Sequence, residues 1–561
     1  MGRFQQENSG HKEDPASREP AGWLLAAALL AVIVFGYLMP VTAYFSAVPG
    51  DFGDPRYNSV VLEHLYRVVT GAYKAGLWNP DFFYPFQGML AFSDNHLGSG
   101  ATYVVARLLG LSREHAFDVW FSVGTLLNFA SALYVLRRLG LSTAAAALGA
   151  FFFAFAVPVP AQDAHAQLVH RFAAPLAVLA LWQMFERRRL ADLGRLAFFT
   201  VWQFYCSIYL GLFLVYLLAA LSVALLTVRQ PFEWAQWRAN LAAERFSIKL
   251  GAGATLLGSA LALAYLGRQY FAASQAHQLL ERLRPIEAIT PAMPRLGSYL
   301  IADHSALLGW LSRGISVPDR SEHQMFIGFG ASILIVTAAL AAMRGRAAVP
   351  GLTQVMLIAL ALLFGGTLWF ENMSLYQLVA WLPGIGAIRD VTRVIFIMLV
   401  PMSVLVALGA DAIRRRFGAS AWTAAPVLAG VAALVIVEPL SVEKNGTPIA
   451  QWQERLDAAR ALLPPVVPKD AILMVRTGSA NLEERIFVEL DAMLLGQDLG
   501  RPVLNGYSAF VPPGYWIRPC ASARDRLTGY SLFMRGVNAS SYARRLIVLD
   551  LDNCPPALQV P

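Results

Sequence analysis

Carboxylates are scarce enough in this chain that their placement carries information. Only 15% of its 561 residues are charged, yet the stretch PGDFGDPRYN, residues 49–58, sets Asp51 and Asp54 three residues apart just beyond a long apolar segment. Asp51 lies between Gly50 and Phe52, upstream of any helix cap. A carboxylate held beside a low-dielectric surface has a raised pKa and can take a proton from a substrate hydroxyl. A solvated turn is the competing reading. Asp54 precedes Pro55 and a helical pattern, as a residue that starts a helix does, and it is the second candidate base.

Two further loops pair an oxygen with a nitrogen ligand. FSDNHLG (92–98) carries Asp94 and His96, and QDAHAQLVH (162–170) carries Asp163 and His165. Either pair could contribute to a site for Mg²⁺, Mn²⁺ or Zn²⁺, and either also suits a polar turn with an ordinary histidine neighbour. GAIRDVTRV (386–394) places Arg389 and Arg393 four apart, on one face at the N-terminal end of an apolar run. Cations there oppose the helix dipole unless an anion sits among them. A lipid phosphate would suit, because guanidinium binds phosphate bidentately. Snorkelling to head groups and pairing with Asp390 are the alternatives. Arg268 is a second phosphate candidate.

What must position these groups is largely apolar. The chain is 57% hydrophobic, with mean hydropathy +0.49, where a soluble protein carries about 25% charged residues. Helices or a closed barrel are the structures that satisfy their own backbone in lipid, and runs of about 17–22 apolar residues fit helices. The pattern predicts a polytopic α-helical membrane protein with eleven spans, near 22–45, 117–136, 143–159, 170–186, 193–206, 209–228, 248–266, 325–343, 352–369, 393–411 and 422–438. The fifth and sixth share one apolar block, divided near CSIY. Arginine-rich connections at 137–142, 186–195, 228–249, 344–346 and 414–417 then fall on one side, the cytoplasm by the positive-inside tendency. The net charge of +8 is scattered over segment ends and does not suggest nucleic acid. Away from their ends the spans lack ionisable residues, which argues against a proton- or sodium-coupled carrier.

Residues 1–21 are polar and read as a disordered cytoplasmic N-terminus. Residues 22–439 form the membrane module, with outer loops 46–116 and 267–324, and 440–561 form a small outer α/β domain. Within the first loop, 55–73 and 98–111 read as amphipathic helices lying at the interface. In the tail, 471–475, 485–490, 501–507 and 545–551 read as strands and 453–463 as a helix. Cys520 and Cys554 lie there together, either as a disulfide or as two thiols. No Walker-type loop is present, so a nucleotide donor is not indicated.

The first span followed by GDFGDPRYN, together with WNPDFFYPFQGMLAFSDNHLG, DAHAQLVHRF, RPVLNGYSAFVPPGYW, about eleven spans and an outer C-terminal domain, resembles the GT-C glycosyltransferases, in a bacterial branch. The resemblance covers nearly the whole chain in architecture and implies sugar transfer from a polyprenyl-phosphate-linked donor to a glycan or lipid-linked acceptor. An Asp of the first outer loop would act as base, with inversion: Asp51 here, Asp54 next in line. It implies a divalent metal, Mg²⁺ or Mn²⁺, at Asp163 and His165, although this chain departs from the family pattern by having carboxylates three apart and Asp-x-His in place of two acids. Arg389 and Arg393 would stabilise the leaving phosphate, and Asp94, His96 and Tyr507 are expected to face acceptor or sugar. Tyr507, Tyr515 and Trp516 suit stacking on a sugar or packing in a core. Besides donor and acceptor, membrane lipids are the expected partners. The implied location is a bacterial inner membrane with the tail in the periplasm. A lipid-linked-sugar flippase and a non-catalytic assembly protein are the rival functions.

Overall fold

The computed structural model describes residues 20–228, 234–277, 289–347, 349–379, 388–416, 421–527, 544–552 and 554–555. The N-terminal segment expected to be disordered lies, up to residue 19, outside the described residues. Among the described residues, a helix stands at each of the eleven expected span positions. They are α1 (Pro20–Val41, including a π-turn), α4 (Arg113–Arg138), α5 (Thr143–Phe155), α6 (Ala173–Arg187), α7 (Leu190–Cys206), α8 (Ile208–Val228), α9 (Phe246–Ala276), α10 (Phe329–Met343), α11 (Pro350–Thr367), α12 (Ile395–Arg416) and α13 (Ala421–Leu440). Eight of these segments are long and apolar enough to cross a membrane. The other three are α7, which is 17 residues long and carries Asp192 and Arg195, the 15-residue α10, and α13.

The chain is thus a mostly helical, polytopic membrane fold with a few short strands. Serine caps set two helix starts: Ser112 Oγ accepts from the His115 N–H at 3.2 Å, and Ser142 Oγ accepts from Ala145 N–H at 3.4 Å. The division between α7 and α8 falls at Ser207, whose backbone is extended. Helix α12 is buried along its apolar length and packs on α5 and α10.

The long segment between α1 and α4 holds α2 (Asp54–Val69) and α3 (Ala101–Leu108), and the tail holds α14 (Ile449–Ala461) and α15 (Leu482–Leu499). Strand β1 (Ala47–Pro49) pairs antiparallel with β2 (Gly446–Pro448), while β3 (Ile472–Arg476) and β4 (Leu546–Asp550) pair in parallel.

Three expectations change here. Residues 485–490 are helical, not a strand. The alternation of Ile486, Val488 and Leu490 is real, but Asn481 caps the segment, Glu483 and Glu484 occupy its first turn, and Gly500 ends it in the left-handed region. Segment 501–507 contributes one bridge, Val503 to Leu473. Helix α2 does not lie on an interface: its polar face is buried against protein charges. Arg56 pairs with Asp491 of α15, Glu63 with Arg107 at 2.9 Å, and Arg67 with Asp81 at 2.6 Å. The apolar face of α2 shares one core with α14, α15 and β3. Helix α3 leaves Val105 and Leu108 exposed. Cys520 and Cys554 form a disulfide, and Cys206 is a buried free thiol.

Candidate active site

The β1–β2 pair fixes the loop that carries the first carboxylates. Gly50 donates its N–H to the Asn445 carbonyl at 2.7 Å, and the Thr447 hydroxyl donates to the Gly50 carbonyl at 2.9 Å. Gly50 has φ +90°, and a Cβ there would meet Pro55 Cγ at 2.6 Å and Ala164 Cα at 3.0 Å. Only glycine lets this loop lie against the 163–164 backbone. Asp51 then turns outward. Its Oδ1 accepts from Gly53 N–H at 2.8 Å, and its other oxygen has no hydrogen bond among the described residues. Partial desolvation pushes its carboxyl up from the ordinary range, and the charge of Asp54 adds to that.

Asp54 is the first residue of α2, but its side chain does not cap that helix. It accepts from His165 Nδ1 at 3.1 Å, from Gln167 Nε2 at 3.2 Å and from the Tyr507 hydroxyl at 3.1 Å. From there a line of alternating charge runs inward and back to the surface. His165 Nε2 lies 3.1 Å from Glu322 Oε1, and Glu322 takes both Arg393 Nε at 3.1 Å and Nη2 at 2.9 Å. Arg393 Nη2 also lies 3.1 Å from Asp390, which accepts from Arg389 Nε at 2.6 Å. Arg393 is buried, whereas the Arg389 side chain is 48% exposed and, among the described residues, its terminal nitrogens carry no hydrogen bond.

Electrostatics follow from that order. Burial would raise the Asp54 carboxyl, but the hydrogen bond and charge of His165 and the field of Arg393 outweigh it and hold the group at about 2. Burial and Arg393 both disfavour a charged His165. The Glu322 charge, with hydrogen bonds to Asp54 and Glu322, prevails and lifts the imidazole to about 9. Glu322 is held well below its usual value: burial opposes, and Arg393 and His165 win. His165 is therefore a cation at neutral pH, locked between two carboxylates.

The remaining expected residues have other partners. Asp163 Oδ2 accepts from the Asn445 N–H at 3.0 Å, so it holds the strand that holds Gly50; burial pushes its carboxyl up to about 7. Asp94 is buried and accepts from Ile208 N–H at 2.6 Å and the Ser207 hydroxyl at 3.2 Å, at the start of α8. His96 is buried on Asn58 Oδ1 at 2.8 Å, edge-on to Trp120, and burial lowers it to about 3, so it is neutral. These two side chains are turned to different partners, Asp94 to the start of α8 and His96 to Asn58. Tyr507 does reach Asp54, but with its hydroxyl; its ring stands edge-on to Tyr57, and the Asp54 charge keeps its proton on. Tyr515 is buried, donating to Glu489, while Trp516 is exposed. Arg268 is exposed on α9 and has no hydrogen bond or ion pair with the other site groups among the described residues.

The donor chemistry does not fit the implied metal. One ion cannot reach both carboxylates flanking His165, because they face opposite ring nitrogens, and Asp163 is turned to Asn445. Among the described residues no group of three or more His, Cys, Asp or Glu is placed to hold an ion. The sequence reading missed Glu322 and Gln167. Glu322 stands in SEHQ, in the loop before α10, with no periodic pattern to mark it. Gln167 lies two residues past His165 and was available to the same Asp54-facing loop.

No protein-family model and no curated relative matches the chain. Among solved structures it is similar to the archaeal oligosaccharyltransferase AglB from Archaeoglobus fulgidus, solved with an inhibitory peptide and a dolichol-phosphate. That likeness has 12% identity and a TM-score of 0.47, over 94% of this chain and 68% of the other. A second structure of the same enzyme, tethered to an acceptor peptide, gives 12% identity and 0.47, over 95% and 68%. The arabinofuranosyltransferase AftD from mycobacteria gives 14% identity and 0.41, over 82% of this chain and 31% of that one. All carry glycosyltransferase names, the class that the sequence resembles. At TM-scores below 0.5 the roles of individual residues rest on the geometry above.

Proposed function

We propose that the chain is a membrane glycosyltransferase that moves a sugar from a polyprenyl-phosphate-linked donor to an acceptor hydroxyl at the outer face of a bacterial inner membrane, with the tail on that outer side. The observation that supports this most directly is the alternating charge line from Asp54 to Arg389. It has near one end an exposed carboxylate, Asp51, bonded through one oxygen to Gly53 N–H, and at the other a half-exposed guanidinium. Tyr507 closes the first end, donating its hydroxyl to Asp54 at 3.1 Å.

In this reading the base is Asp51. A carboxylate held at about 2 by His165, Arg393 and Gln167 is a weak base, which leaves Asp54 to fix the loop and the imidazolium. The acceptor oxygen attacks the anomeric carbon from the face opposite the phosphate, and its proton passes to Asp51. The bond from that carbon to the phosphate oxygen breaks, and the electron pair leaves on the lipid phosphate. Configuration inverts. Arg389 receives the developing charge through its exposed terminal nitrogens. Arg393, already shared by Glu322 and Asp390, supports Arg389 from behind and does not hold the phosphate itself. No step is routed through a metal.

The test uses the full chain in detergent with a panel of labelled polyprenyl-phosphate-linked hexoses and pentoses, scoring release of polyprenyl phosphate. Asp51→Asn is expected to lower kcat by a factor of about 10² or more, the usual scale for a lost general base, with an unchanged thermal midpoint. Near-normal turnover removes Asp51 as the base. No transfer by the parent chain from any donor removes the enzyme reading.

A further inference from the structure

A second site lies at the other end of α12. Between α10, α12 and α13 a cavity of about 680 Å³ opens outward, walled by residues such as Ile333, Leu340 and Val431 and ringed at one end by Arg344, Arg346 and Arg415. Its apolar wall is partly uncovered: Ile333 is 42% exposed and Leu340 41%. These residues belong to apolar helices, so the opening faces lipid.

Among the described residues, none of the three guanidinium groups has a hydrogen bond or ion pair, and all three residues are exposed. The nearby acid, Asp411, is already used. It accepts from the Ser142 hydroxyl at 2.6 Å and N–H at 3.2 Å and lies 3.4 Å from Arg414. Helix α10 has 15 residues and spans about 22 Å at the α-helical rise, short of a hydrocarbon core of about 30 Å. Arg344, just past its end, is therefore drawn toward the acyl region, where a guanidinium needs an anion or water.

This is not the donor site. Arg393 and Arg415 stand on one helical run, Val391–Arg415, about 33 Å apart by the same rise, which places them at opposite faces of a bilayer. An arginine cluster over an apolar groove between spans matches the two-part chemistry of an anionic lipid: a phosphate for the guanidinium groups and an acyl chain for the wall.

We propose that this groove binds an anionic phospholipid of the opposite leaflet, its phosphate held by Arg344, Arg346 and Arg415 and an acyl chain laid along α10 and α13. The site is separate from the sugar-transfer reading and stands without it. The full chain is purified in an uncharged detergent and titrated with phosphatidylglycerol or phosphatidylcholine, and bound lipid is counted by native mass spectrometry. The expected result is phosphatidylglycerol occupancy at tenfold or more lower concentration than phosphatidylcholine. R344Q/R346Q/R415Q abolishes that preference. Ala412→Phe, which fills the groove and keeps every charge, weakens phosphatidylglycerol binding as well. Should the triple variant not yield folded protein, the three single Arg→Gln variants are read in its place, each expected to lose about threefold. The proposal is overturned by equal binding of the two lipids, by an unchanged preference in the arginine variants, or by an Ala412→Phe protein that binds normally while inorganic phosphate displaces the lipid. That last outcome marks a site for free phosphate.

Discussion

The carboxylate of Asp54 and the imidazole of His165 meet at 3.1 Å although 111 residues separate them in sequence. That contact joins the segment after α1 to the loop between α5 and α6, and the opposite ring nitrogen of His165 joins both to Glu322 in the loop before α10. Three segments that share no secondary structure are thus held by one ring. Its protonation decides whether they attract or merely touch.

The pH dependence follows. His165 stands at about 9 in the folded chain against an ordinary 6.5. A group raised on folding stabilises fully below its unfolded value and loses that contribution as pH rises through the folded one. Stability should therefore fall between about pH 6.5 and 9, by an amount on the order of 3 kcal/mol. Asp54, lowered to about 2 from 3.8, acts on the other side: its contribution is present above about 3.8 and fades as pH drops through 2. Thermal midpoints from pH 6 to 10 check the first limb, and His165→Gln should flatten it. A parent curve level across that range would mean His165 is neutral.

Glu322 carries the most exposed debt of the network if removed. Glu322→Gln leaves Arg393 with Asp390 alone and deprives His165 of the charge that keeps it protonated. Losing one partner of a buried pair costs about 3–5 kcal/mol, so the variant should unfold several degrees lower in detergent. It should also lose the alkaline limb described for His165. A variant as stable as the parent would show that the pair adds nothing beyond its shape.

The positions of the helices were legible because apolar run length is a local property, and a helix stands at each expected place. The Asp54, His165, Arg389 and Arg393 candidates came from residue type near segment ends, and the fold brings them together. What was not legible is who partners whom. Asp94 and His96 look like a ligand pair in one loop, yet Asp94 caps α8, over a hundred residues on, and His96 is buried on Asn58. Glu322 completes the charge line from a loop with no period at all. The strand-like alternation at 486–490 was overruled by caps outside the short window. The amphipathic pattern of α2 suits an interface, yet Asp491 and Arg107 take up its charged face from elsewhere in the chain.

Gly50 offers a geometric test of the loop. An added methyl meets Pro55 and the Ala164 backbone at contact distances no side chain relieves, and the left-handed backbone adds strain. Such strain costs about 1–3 kcal/mol. Gly50→Ala should therefore shift Asp51 away from its position and lower kcat at least tenfold, while the distant disulfide still forms. Disulfide content by thiol titration, read beside turnover, separates a displaced loop from a misfolded chain. Full activity in Gly50→Ala would show that Asp51 does not depend on this turn.

Metal removal tests the donor chemistry of the same cluster. Both nitrogens of His165 face carboxylates, Asp163 is spent on Asn445, and Arg393 already supplies positive charge to Glu322. An ion would have to displace the His165 proton and break at least one of these contacts. Its gain must exceed an interaction that raises the imidazole from 6.5 to about 9. Dialysis of the full chain against a strong chelator is accordingly expected to leave sugar transfer within about twofold of its starting rate, and added Mg²⁺ or Mn²⁺ to change it no further. Loss of activity restored by Mn²⁺, with His165→Gln insensitive to both treatments, would show that the ring turns out of this network to bind the ion.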